Sequence, residues 1–133
     1  LFRSVRAQDQ AGNISLSTVE KSALTQAPSF ASQVQPIFTK SCGGGGCHTG
    51  TSPAQGLDLS TGKSYASLVG VASSQCPTTK RVVASSPSQS YLVHKLQGAG
   101  PCFVGSRMPK GAPLSTADQN TVTGWVSAGA PNN

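Results

Sequence analysis

The chain has 133 residues, enough for one domain with an extension, and 11% of them are charged against 36% hydrophobic. With 15 glycines, 9 prolines and only 5% aromatics the apolar inventory is thin, so a bulky apolar prosthetic group or covalent cross-links are expected to complete the core. The formal charge of +6 is scattered from Arg3 to Lys110 with no cluster and no interleaved aromatics, which argues against nucleic-acid binding, and no apolar run is long enough to span a bilayer.

The diffuse positive charge fits either steering toward an acidic partner or an ordinary solvated face. No signal peptide is recognisable and the chain opens on Leu1, so a processed form or a fragment is expected. Residues 1–16, LFRSVRAQDQAGNISL, alternate like a strand and turn at Gly12-Asn13. The stretch VRAQDQAGNIS resembles the last strand of a fibronectin type III domain, and only that strand is present. Ser15 to Ser29 reads as a Ser/Thr/Ala linker, so residues 1–27 form an expected extended tail and residues 28–133 the domain.

Phe30, Val34, Ile37 and Phe38 recur at helical spacing, with Pro36 tolerable only near a first turn or at a kink; this helix runs into Cys42. After a loop, Leu57-Asp58-Leu59-Ser60 leads to a short helix through Tyr65, Leu68 and Val69 that Ser60 is expected to cap. Residues 81–87 read as extended. Ser88 is expected to cap a helix carrying Tyr91, Leu92, Lys95 and Leu96, which Gly98 stops. Gly98 to Pro113 is a long Gly/Pro loop. Ser115 with Asp118 forms a capping box for the last helix, whose face is Val122, Trp125 and Val126 and which ends at Gly129 and Pro131. The class is all-α with long loops.

The chemistry concentrates at Cys42-Gly-Gly-Gly-Gly-Cys47-His48. Two thiols that add to the vinyl groups on one haem edge fix that edge to the backbone, and a histidine beside the second thiol falls under the iron. Two residues usually separate such cysteines, whereas four do here. Glycines suit the longer spacer because they accept positive φ and carry no side chain to meet the porphyrin. The competing reading is a zinc site built from Cys42, Cys47 and His48 with Cys76, Cys102 or His94 as fourth ligand, although adjacent Cys and His serve one tetrahedral ion poorly. A dithiol redox centre fails on spacing.

Residues 30–130 are similar to class I cytochrome c, a monohaem c-type domain, in its planctomycete-type branch. The matching stretches are Phe30 to His48, Gly56 to Ser60, SYLVHKLQG at 90–98, GSRMPKGAPLS at 105–115 and TGWVSAGAPN at 123–132. The resemblance implies a small cytochrome c fold around one covalently bound haem c. Cys42 and Cys47 would carry it, with His48 and Met108 as axial ligands. The four-residue spacer is the departure from the family. Met108, the single methionine, precedes Pro109 in the Gly/Pro loop. Its competing reading is core filling.

His94 is the rival sixth ligand, read as a surface histidine beside Tyr91 and Lys95. Phe38, Leu59, Leu68, Leu92, Pro109 and Trp125 are read as haem-packing or core residues, with the first and last helices crossing near Phe38 and Trp125. Arg107 is either a propionate partner or a solvated arginine. Covalent haem implies an oxidising compartment, periplasmic or extracellular, where the leftover Cys76 and Cys102 are expected to pair. That bond would close a loop of about 25 residues and stabilise by about 3 kcal/mol; two free thiols or a second metal site are the alternatives.

The function expected is single-electron transfer to a redox partner, with no catalysis. A peroxidase-like haem enzyme would need an exchangeable sixth position and His94 as distal acid-base residue. A non-haem metal or adhesion module is the third reading. Residues 1–16 present a strand edge that seeks another backbone, either on this chain's own surface or on a second copy through self-association.

Overall fold

The computed structural model describes residues 27–44 and 47–133. Among these the fold is all-α. Helix α1 spans Gln35–Ser41, α2 Ser64–Leu68, α3 Tyr91–Gln97 and α4 Thr116–Ser127. No strand occurs among the described residues; backbone pairing between segments is limited to isolated bridges, Val69 with Val82 and Ala72 with Lys80. The extended tail and its strand edge over residues 1–16, and Gly45 and Gly46 of the glycine spacer, lie outside the described residues.

The expected first helix divides in two. A wide π turn over Phe30–Val34 comes first, with Ser29 Oγ accepting from the Ser32 N–H, and α1 follows with Pro36 in its first turn. Pro36 has no N–H to donate back along the ladder, so the register slips at that point and the Gln35 N–H reaches Phe30 O instead. Helix α2 begins at Ser64, later than the sequence suggests. The Asp58 carboxylate accepts from the Ser60 N–H at 3.0 Å, and the Ser60 carbonyl accepts from Lys63 and Ser64. The Ser60 hydroxyl, which also donates to Asp58 Oδ1, and next the Ser60 N–H hold the Asp58 carboxyl below its ordinary range.

Ser88 does not cap α3. It falls inside a 3-10 turn over Pro87–Gln89, and Ser90 stands immediately before the helix. Ser90 Oγ is occupied elsewhere, accepting from the Val83 N–H at 2.9 Å and donating to Ser86 O at 2.8 Å. That bond and the Leu92 N–H donating to Arg81 O hold residues 81–83 against α3, while the Val82 bridge ties the same segment to Val69 after α2, without building a ladder. Gly98 ends α3 in the left-handed region, φ 78°, where a side chain would be strained. Ser115 caps α4 as expected, accepting from the Asp118 N–H at 3.1 Å.

The core gathers around Phe30. Its ring centroid lies 5.0 Å from Trp125, 5.4 Å from Tyr65 and 6.3 Å from Phe38. The first and last helical segments therefore meet at Phe30 and Trp125, about two helical turns earlier than the Phe38 crossing expected from sequence. The polar edges of these rings are satisfied by the C-terminal residues: Trp125 Nε1 donates to Pro131 O and Tyr65 Oη to Ala130 O, each at 2.8 Å. Asn133 closes the arrangement, its side chain accepting from the Phe30 N–H and its carbonyl from the Ala31 N–H, both at 2.9 Å. Phe38, Leu59, Leu68, Leu92 and Trp125 all belong to this buried cluster.

Phe30→Ala removes the ring that three others share and leaves a cavity between segments that are too short to close over it. The expected cost is about 3–5 kcal/mol, read from chemical denaturation followed by circular dichroism.

Candidate functional site

The Cys42–His48 loop leaves the end of α1, and main-chain bonds fix its two sides. Cys42 is the C-cap residue, its N–H donating to Phe38 O at 2.8 Å, and its side chain packs half-buried against the apolar cluster. Cys47 is exposed. Thr49 Oγ1 donates to Gly43 O at 3.2 Å and draws the loop together; a Cβ at Gly43 would fall 3.1 Å from the Thr49 methyl. On the far side the Ala54 N–H donates to Cys47 O at 2.7 Å and the Leu59 N–H to His48 O at 2.6 Å.

The His48 ring is oriented by one more carbonyl. Its Nδ1 lies 3.3 Å from Leu57 O. A carbonyl only accepts, so this contact favours the tautomer with its proton on Nδ1, in which Nε2 keeps a lone pair, the form in which imidazole ligates a metal. Burial lowers the His48 pKa from its ordinary value; hydrogen bonds to backbone at Leu57 and Ala54 oppose this, and the Arg81 and Lys95 cations add to it. The ring is thereby biased toward its neutral state. Burial, with a smaller contribution from nearby Cys47, pushes the Cys42 thiol up to about 11, so it stays protonated at neutral pH.

Behind this loop stand residues that the motif does not reveal. Buried Gln35 donates through Nε2 to Leu59 O at 3.0 Å and accepts from Ser64 Oγ, tying α1, the 57–59 segment and α2 together. Arg81 spans the next layer, donating to Gln55 O and Ser67 O, each at 2.8 Å. A polar Gln35 between Val34 and Ile37 on a helix with an apolar face is the one sequence signal that marks this bracing.

Met108 is half-buried, and its N–H donates to Lys95 O at 2.8 Å. The loop that carries it is anchored at several points. Cys102 is disulfide-bonded to Cys76, with Cα atoms 6.1 Å apart. The Val104 N–H donates to Tyr91 Oη at 3.2 Å, and Lys95 Nζ to Val104 O at 2.7 Å. Arg107 Nε donates to Leu96 O at 3.0 Å while its side chain lies over Gly98, so Arg107 closes the end of α3 and is not simply solvated. Pro109 lines an open cleft of about 400 Å³ between Lys40 at the end of α1 and the 109–115 loop.

His94 overturns its expected surface placement. It is buried, its Nε2 lies 2.8 Å from Ser88 O, and its Nδ1 has no partner among the described residues. Every residue of α3 from Tyr91 to Leu96 is buried, so this helix offers a histidine no solvent face. Gly100 packs on the ring so closely that a Cβ there would fall 2.4 Å from it. Among the described residues no three His, Cys, Asp or Glu side chains gather with metal-holding geometry. Two of the fourth zinc ligands considered, Cys76 and Cys102, are bonded to each other.

The donor chemistry fits a haem: a neutral imidazole nitrogen with a free lone pair, two unpaired cysteines beside it and a single thioether on an anchored loop. In haem-free protein, iodoacetamide should modify exposed Cys47 well before Cys42, by about tenfold or more at pH 8.5. Labelling of Cys42 should climb only as pH approaches about 11, read by peptide mass spectrometry.

Comparison with protein-family models, curated proteins and solved structures finds no match. The functional reading therefore rests on this chain's own residues.

Proposed function

We propose that this chain is a monohaem c-type cytochrome that carries single electrons outside the cytoplasm. Haem c is held by thioethers to Cys42 and Cys47, and its iron is ligated by His48 and Met108. The observation that carries this reading is the His48 Nδ1 to Leu57 O contact, which leaves Nε2 as the ligating atom next to two free cysteines.

Haem supplies an iron that gains and loses one electron. The chain's own residues set how readily this happens. The Leu57 carbonyl fixes the His48 tautomer and raises its basicity as a ligand. The Met108 thioether is a soft, weak donor that favours ferrous iron and raises the potential. Arg81 and Lys95 place positive charge close enough to act on His48, and the same charge opposes the ferric state. With His48 and Met108 both holding it, the iron would offer no open position to a substrate, which suits electron transfer rather than catalysis. The net charge of +6 suits an acidic redox partner, and the Cys76–Cys102 bond suits a periplasmic or extracellular setting. The peroxidase-like alternative lacks its distal group, because His94 is committed to Ser88.

Sharp α and β bands on reduction, with no carbon monoxide uptake, are expected of the purified protein. Haem staining on denaturing gels should fall in Cys42→Ser and in Cys47→Ser and vanish in the double variant; covalent haem surviving both changes would sink the assignment. Met108→His should stay low-spin with a potential lower by on the order of 0.1 V, and Met108→Ala should admit carbon monoxide.

A further inference from the structure

Lys95 is a cation in a helix whose other residues from Tyr91 to Leu96 are buried, and it is buried with them. Its Nζ donates to Val104 O at 2.7 Å and lies 4.8 Å from the centroid of the Phe103 ring and 6.0 Å from that of Tyr91. Its own carbonyl accepts the Met108 N–H at 2.8 Å. One residue thus grips the 102–108 loop twice, by side chain at Val104 and by main chain at Met108.

This arrangement is expensive unless it serves a purpose. Among the described residues no carboxylate lies within ion-pair distance of Lys95, and burial together with the Lys110 charge lowers its pKa. An ammonium taken from water without an anion costs free energy, and a methionine or leucine would fill the space more cheaply. What the lysine adds is direction: a charge-assisted bond to one carbonyl and a ring face that holds the ammonium over Phe103. The other strong anchor, the Cys76–Cys102 bond, pins only the start of the loop. Beyond Val104, the holds on the loop come from α3: Lys95 O at Met108 and Leu96 O at Arg107.

We propose that Lys95 is a positioning residue that holds the Met108 loop in place for the sixth-ligand role; this rests on the cytochrome reading above. Three α3 groups, Lys95 Nζ, Lys95 O and Leu96 O, hold this loop at Val104, Met108 and Arg107. Lys95→Met keeps the apolar stem and removes the ammonium, whereas Lys95→Arg keeps a cationic donor at the same site.

The test compares the native protein with both variants by two readouts, amide hydrogen exchange resolved to residues 102–108 and carbon monoxide uptake by the reduced protein. In Lys95→Met, exchange over 102–108 should speed by about tenfold while α2 and α4 keep their protection. Carbon monoxide, excluded by the native protein, should bind, and Lys95→Arg should restore most of both properties. Unchanged exchange at 102–108 overturns the clamp. So does protection lost evenly across all helices without rescue by arginine, which marks a general packing role. Haem present with carbon monoxide still excluded in Lys95→Met overturns the ligand-positioning role. Native protein without covalent haem sinks the cytochrome reading instead, and the exchange measurement alone then decides the clamp.

Discussion

The Phe30 ring, seated among Phe38, Tyr65 and Trp125, is the contact on which the remaining structure depends. The four helices run from 5 to 12 residues, lengths at which an isolated helix in water is marginal or worse. Their stability has to come from packing, and Phe30 joins three of the segments that must pack. The hydrogen bonds of Tyr65, Trp125 and Asn133 then bring the C-terminal residues over the same cluster, so the two ends of the described domain close on each other. With that closure in place, the long loops have a fixed platform from which to depart.

The candidate site follows from that platform through main-chain carbonyls more than through side chains. His48 is held by Leu57 O at the ring and by the Leu59 N–H at its own carbonyl, while Gln35 grips Leu59 from the other side. Carbonyl contacts have a consequence that carboxylate contacts would not. They orient the ring with a weaker pull toward imidazolium than a carboxylate's full charge would exert, so burial and the neighbouring cations still bias the ring toward its neutral state. The same economy appears at the second loop, where Lys95 O, Leu96 O and Val104 O carry the anchoring bonds around Met108.

Helix α3 joins the 80–83 segment to the 102–108 loop. Ser90 ties it to Val83, Tyr91 and Lys95 reach the 102–108 loop, and Arg107 covers its last turn. Its burial on all sides explains why two of its polar residues, His94 and Lys95, are spent inside the protein. In each case the polar atom finds a main-chain carbonyl nearby, Ser88 O for His94 and Val104 O for Lys95.

Local chemistry was legible in the sequence. The all-α class, the Ser115 cap, the Gly98 stop and the crowding of Cys42, Cys47 and His48 into one loop follow from short-range rules of spacing, capping and turn formation, whereas the pairing of Cys76 with Cys102, 26 residues apart, was expected from the oxidising compartment. Tertiary structure alone decided the matters that hang on which face of an element meets another. Periodicity placed His94 in solvent because its neighbours on a short helix are mixed, whereas the loop at Gly100 covers that face. The start of α2 moved because Asp58 takes Ser60 into a turn, and Phe30 took the crossing that Phe38 was expected to make. Leu57, Gln35, Arg81 and Lys95 act through carbonyls distant in sequence, and no residue pattern announces a partner whose only contribution is its backbone.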